Sequence, residues 1–185
     1  MSIIYQHTAD DLALIEKISH ARNDRKEKKG VRSKKFDQTR SEYETHYIGV
    51  FGELGILKGC GLEIDEEAWL GGDQGIDCVL PCGLTLQVRY RAKRGWDYAL
   101  NSDNLREFKT DIGILGWPGE EKDSVEIVGW TTKAHFALLA HRDNFKHGDR
   151  LVLHHKKLIS IEKFLPLTKF DNKLLILTPE IVASK

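Results

Sequence analysis

Apolar residues in this chain change their spacing at the run Gly71-Gly72-Asp73-Gln74-Gly75, and that change divides it into a helical part and a largely strand-rich part. Before the run they recur every three to four positions, the signature of one helix face. After it they alternate every second position, the signature of one strand face. Thr8 and Asp11 have the form of a capping box, and Leu12, Ile15 and Ile18 follow at helical spacing, so a first helix is predicted over about 9–29, with Gly30 as its stop. A second helix is predicted after Asp37, because Tyr43, Tyr47, Val50, Leu54 and Leu57 form one apolar stripe. Glu53 lies beside that stripe, and the helix is expected to end near Gly59 to Gly61. The acidic stretch Glu63, Asp65, Glu66 and Glu67 reads as a short helix or loop leading into the glycine-rich turn.

Strands are predicted over 75–80 and 84–91, joined by Pro81, Cys82 and Gly83 as a three-residue hairpin loop with glycine available for the left-handed position. A polar, partly helical excursion over 94–108 precedes strands over 110–117 and 124–131, which are joined by the charged turn 119–123. A helix over 133–140, a short strand over 150–155 and a tail over 158–176 interrupted by Pro166 complete the pattern. The expected fold class is α/β, a central mixed sheet flanked by helices. At 185 residues, 41% apolar and 30% charged, one domain spanning 1–185 is expected: a basic helix and loop (9–40), a core (about 42–140) and a C-terminal extension (141–185). Three cysteines, Cys60, Cys78 and Cys82, are too few for a disulfide framework. With no signal-peptide pattern and no apolar run of membrane-spanning length, a cytoplasmic chain with no membrane partner is expected.

Positive and negative charges balance at 28 each, but they are unevenly placed. Between His20 and Arg40 nine basic residues, among them Lys28, Lys29, Arg32, Lys34 and Lys35, face three acidic ones. Such a block can lie along a phosphate backbone; a solvated helix end and loop is the competing explanation. Arg91, Lys93 and Arg94 interleave with Tyr90, Trp96 and Tyr98, a second pattern compatible with nucleic acid. Tyr90 alternates away from Gln87 and is expected in the core. His154, His155, Lys156 and Lys157 form a weaker basic cluster that either touches phosphate or ends a solvated strand.

The central hairpin carries the sharpest chemical inference. If 81–83 is the loop, Asp77 and Gln87 are each five residues from Cys82 and lie directly across from one another, with Arg89 one step along the same face. An even-numbered loop would put the two sets on opposite faces. A carboxylate, an amide oxygen and a guanidinium on one face suit a divalent cation and a phosphate, with Glu53 as a second carboxylate. An ordinary polar row on a half-exposed strand is the alternative.

Glu53 on a helix, Gly75-Ile76-Asp77 on a strand, a tight turn and Leu86-Gln87-Val88-Arg89 on the next strand resemble the PD-(D/E)XK nuclease superfamily. Its core is a helix, three strands, a helix and a strand. The stretches Thr110 to Trp117 and Val125 to Trp130, the latter ending in Val-Gly-Trp before a helix, are similar to later strands of small phage-type and microbial members. The resemblance covers roughly 42–139 and implies a restriction-endonuclease-like core. It further implies Mg²⁺ (or Mn²⁺) held by Glu53, Asp77, Gln87 and the Val88 backbone carbonyl, and hydrolysis of DNA phosphodiester bonds. Arg89 stands where the family places lysine; a guanidinium cannot act as a general base, but it can clamp a phosphate at two points. A relative that kept DNA binding and lost cleavage is therefore the alternative, and a homodimer is a further expectation for enzymes that cut both strands. The cysteines lack the paired spacing of a structural zinc site and are expected as small buried thiols. The glycine run lacks a phosphate-loop ending, and Asp73 is a secondary acidic group near the site and the substitute should Asp77 not be the ligand.

Overall fold

The computed structural model describes residues 2–29, 39–62, 75–100, 102–145 and 148–169. The glycine-rich turn up to Gln74, the acidic stretch before it, Gly30 and the tail beyond 169 lie outside those residues. Helix α1 (Ala9–Lys29) begins where the sequence predicts, because Thr8 and Asp11 cap it reciprocally: Thr8 N donates to Asp11 Oδ2 at 2.9 Å and Asp11 N donates to Thr8 Oγ1 at 3.1 Å. Helix α2 (Glu42–Gly59) starts later than Asp37, at a second capping box in which Ser41 Oγ accepts from Glu44 N and Ser41 N donates to Glu44 Oε2.

Five strands form a mixed sheet in the order β1-β6-β5-β3-β2: β1 (Ile3–Gln6), β2 (Cys78–Val79), β3 (Thr85–Tyr90), β5 (Ile112–Pro118) and β6 (Ser124–Thr132). Among the described strands of this sheet, β3 and β5 run parallel and the other neighbours antiparallel. Strands β3 and β5 are joined by a crossover that contains β4 (Tyr98–Ala99) and a single 3₁₀ turn (Leu105–Glu107), where the sequence predicts a partly helical excursion. After β6 comes helix α3 (Lys133–Leu139), and then β7 (His141–Phe145) and β8 (Gly148–Leu153). These join β4 in a second, antiparallel sheet of order β4-β8-β7 rather than extending the first. A short helix, α4 (Leu165–Thr168), ends the described chain. The C-terminal segment docks on β6, where Trp130 and Ile159 exchange backbone hydrogen bonds and Phe164 packs on the Trp130 ring.

Alternation along the central strands divides the interior into two cores. Leu86, Val88, Ile112, Ile114, Val125 and Ile127 point to the side covered by α1 and α2, where they meet Ile15, Val50, Leu54 and Leu57. Leu115 and Trp117 point the other way and pack with Tyr98, Phe108, Phe136 and Leu153 of the second sheet and α3. The central sheet is thus covered on both faces, which accounts for six consecutive buried positions in β5. Among the described residues, no helix is long and apolar enough to cross a membrane.

Candidate functional site

The hairpin has the predicted register. Leu80 N donates to Leu84 O and Gly83 N to Leu80 O, with Gly83 at φ +83°, so residues 81–83 form the three-residue loop. Cys78 pairs with Leu86 and Val79 with Thr85; just outside this ladder Asp77 N donates to Leu86 O at 2.8 Å, one residue off the regular pairing, which sets Asp77 beside the stretch that carries Gln87. The regular strand β2 is shorter than the 75–80 predicted. Beyond its end, the Asp77 carboxylate turns in to the sheet edge, where Oδ2 accepts from Val88 N at 2.6 Å. The Val88 carbonyl projects to that same edge, because the N–H and C=O of one strand residue point to the same neighbour.

Gln87 is 2% exposed and lies next to Gly113 of the parallel strand β5. With its amide oxygen turned to Arg89, Gln87 Oε1 lies against the Arg89 guanidinium, 2.9 Å from Nε, and accepts from it. Tyr98 of the second sheet closes this side. Its ring is fully buried, its hydroxyl makes no well-aligned hydrogen bond, and burial pushes its phenol up in pKa while Arg89 and Arg91 pull it down. Tyr98 fits there because Gly113 has no side chain: a Cβ on Gly113 would stand 2.3 Å from the Tyr98 hydroxyl oxygen and 2.6 Å from Cζ. Gly113→Val is expected to cost about 1–3 kcal/mol by overpacking, read as a lower urea midpoint at an unchanged m value.

The structure therefore brings Asp77, Gln87, Val88 and Arg89 together. Glu53 comes from α2, which covers the opposite face of the sheet, and its carboxylate accepts from Arg22 Nη2 at 3.2 Å. Arg91 is turned inward. Its Nη2 donates to Ala99 O at 2.7 Å and its Nε to Asp97 O at 3.3 Å. Burial, together with the charges of Arg89 and Arg150, lowers its pKa to about 10. Arg91 therefore braces the second sheet, whereas Lys93 is exposed. Lys28 and Lys29 fall on the last turn of α1, and Arg32, Lys34 and Lys35 lie outside the described residues. Cys60, Cys78 and Cys82 are thiols outside any disulfide, all packed in or against the core under α2, and burial pushes Cys60 up to about 12.

As a cation site, the oxygens of Asp77 and the Val88 carbonyl have the hard-donor chemistry that Mg²⁺ takes. The Gln87 oxygen has it too, but here it is held by the Arg89 guanidinium. A second group, which the sequence reading did not join, consists of Asp97, His154 and His155, whose ligating atoms lie within 4.8 Å of one another and could hold a metal ion. Asp97 Oδ1 accepts from His155 N and from His155 Nδ1, each at 2.8 Å. Burial raises the Asp97 carboxyl pKa, but these hydrogen bonds and the two imidazoles outweigh it and hold the net value below the usual range. The two histidines stand out in the sequence as a basic pair; their carboxylate partner, 57 residues upstream, becomes visible only through the pairing of β4 with β8. Compared with known proteins, the chain matches no family, no curated protein and no solved structure.

Proposed function

We propose that this protein is a metal-dependent nuclease acting on DNA. The observation that carries the reading is the hairpin edge: the Asp77 carboxylate rests on the Val88 amide, next to Gln87, and a guanidinium lies beside them. Asp77, Gln87 and the Val88 carbonyl would hold the Mg²⁺ or Mn²⁺, which would supply an activated water and charge neutralisation at the phosphate; Glu53, on the helix that covers the opposite face and paired with Arg22, is left out of this set. Arg89 would leave Gln87 for the phosphate, where its fork geometry offers two parallel hydrogen bonds. Asp77, kept in place by Val88 N, needs no rearrangement. The expected result is cleavage of single-stranded, duplex or branched DNA that requires Mg²⁺ or Mn²⁺, stops in EDTA and falls to background in Asp77→Ala, while Lys93→Ala retains cleavage.

A second reading is favoured by one specific observation. Gln87 is 2% exposed with its oxygen engaged by Arg89, an arrangement that supplies the site with a permanent cation from the chain itself. On this reading the protein binds DNA without cutting it. Intact DNA in every lane, together with gel shifts that are salt-sensitive but unaffected by EDTA, would select it. Sedimentation of the protein with and without duplex DNA tests the homodimer expected of an enzyme that cuts both strands.

A further inference from the structure

We propose that Asp97, His154 and His155 form a binding site for one transition-metal ion of the zinc class, at the end of the second sheet. The site arises from strand register. Tyr98 pairs with Leu153 and Ala99 with Val152, and continuing that ladder by one step sets Asp97 across from His154. His155 follows at the start of a 3₁₀ turn (His155–Lys157). Three side chains with metal-binding atoms thus converge from two segments remote in sequence. Asp97 Oδ1 is 2.8 Å from His155 Nδ1 and 4.0 Å from His154 Nδ1.

The donors selected are two imidazoles and one carboxylate. That set suits Zn²⁺, Co²⁺, Ni²⁺ or Cu²⁺, whereas Mg²⁺ and Ca²⁺ prefer all-oxygen surroundings. Access is open, because the side chains of His154, Asp97 and His155 are 43%, 26% and 22% exposed, and a tetrahedral ion would keep its fourth position for water. The surroundings hold the ligands in place. The Asp97 backbone carbonyl is gripped by Arg91 Nε, the His155 ring stands edge-on to Trp117, and Trp117 Nε1 donates to Trp96 O at 2.8 Å. Binding replaces the His155 Nδ1–H contact to Asp97 by the ion, with the ring proton carried on Nε2. It also turns His154 away from Lys156 N, from which its Nδ1 accepts at 3.2 Å. An ion here would tie the segment before β4 to the segment after β8, and it is independent of the nuclease reading.

The test is calorimetric titration of the full chain with ZnCl₂, paired with thermal unfolding. The expected results are one ion per chain, a rise in Tm with Zn²⁺ and none with Mg²⁺. His154→Ala leaves the metal-free Tm nearly unchanged, since the ring is half exposed, and weakens Zn²⁺ at least about tenfold. Asp97→Asn and His155→Ala weaken it likewise, whereas Cys78→Ser/Cys82→Ser and Asp77→Ala retain it. Absence of stoichiometric Zn²⁺ binding overturns the proposal. So does full-strength binding by His154→Ala, or loss of binding in the cysteine variant.

Discussion

Gly52→Val is expected to lower the unfolding free energy by about 3 kcal/mol or more, while Gly49→Ala, one turn earlier on α2, is expected to raise it by up to about 1 kcal/mol. The opposite signs follow from what each added Cβ would meet. At Gly52 it would stand 2.0 Å from Tyr90 Cγ and 2.2 Å from Tyr90 Cβ, the root of a side chain that cannot swing aside. The helix would have to lift from β3, the strand that carries Gln87 and Arg89. Gly55 and Gly59 continue the same close face, with an added Cβ 2.6 Å from Val125 Cγ2 and 2.6 Å from Ile127 Cδ1 respectively. At Gly49 nothing lies within 4 Å, so alanine removes only the entropic cost of a glycine in a helix. Urea unfolding of the two variants beside the parent checks both signs. Equal, small effects would mean that α2 does not lie this close to the sheet.

Asp11→Ala is expected to cost about 3 kcal/mol, because this 1%-exposed carboxylate ties three elements together. Oδ1 accepts from Lys58 of α2; Oδ2 accepts from the Tyr5 hydroxyl of β1 at 2.8 Å and from Thr8 N at 2.9 Å. Burial raises the Asp11 carboxyl pKa, but the bonds from Lys58, Thr8 and Tyr5 outweigh it and leave the folded value far below the ordinary range. A depressed carboxyl stabilises the fold above its unfolded pKa of about 4, and that contribution is lost as pH falls toward the folded value. Its neighbour His7 acts earlier. The ring is 6% exposed with Nε2 3.1 Å from Phe51 O, and burial lowers its pKa despite the nearby Asp11 carboxylate. Below about pH 6.5 the unfolded chain gains a proton that folded His7 resists, so stability declines from there downward. Thermal unfolding across pH is expected to show this first decline vanish in a stably folded His7→Gln variant while the decline below about pH 4 remains. A Tm independent of pH between about 7 and 3 would contradict both assignments.

Much of the chain is legible from local pattern. The Thr8–Asp11 box starts α1, the Val50-Leu54-Leu57 stripe forms the buried face of α2, and the Pro81-Cys82-Gly83 loop sets Cys78 across from Leu86, one step from Asp77. The alternation over 112–118 and 124–132 marks β5 and β6, and Thr132 caps α3 where the pattern returns to helical spacing. The same local signals are weak or absent in the elements not foreseen. Strand β1 has four residues, β4 has two, and β7 is exposed along its whole length, so none carries a period that separates a strand from a loop. Where the sequence reading extended a strand to Gly75 or began one at Arg150, the ladder instead runs over Cys78–Val79 and over Gly148–Leu153.

The sequence by itself determined the helices, the hairpin and its register, because helix periodicity, capping and turn geometry depend on residues within a few positions of each other. Only the tertiary structure decided which segments pair. It set β5 parallel to β3, brought β1 to β6, and folded the segment after α3 into a second sheet. Those choices rest on contacts between remote residues, such as Tyr98 over Gly113, Tyr90 over Gly52 and the hydrogen bond of Asp97 to His155. No short window of sequence contains both partners of such a contact. That is why the hairpin's residues could be placed together in advance, whereas the Arg89–Gln87 contact and the histidine cluster of the second sheet could not.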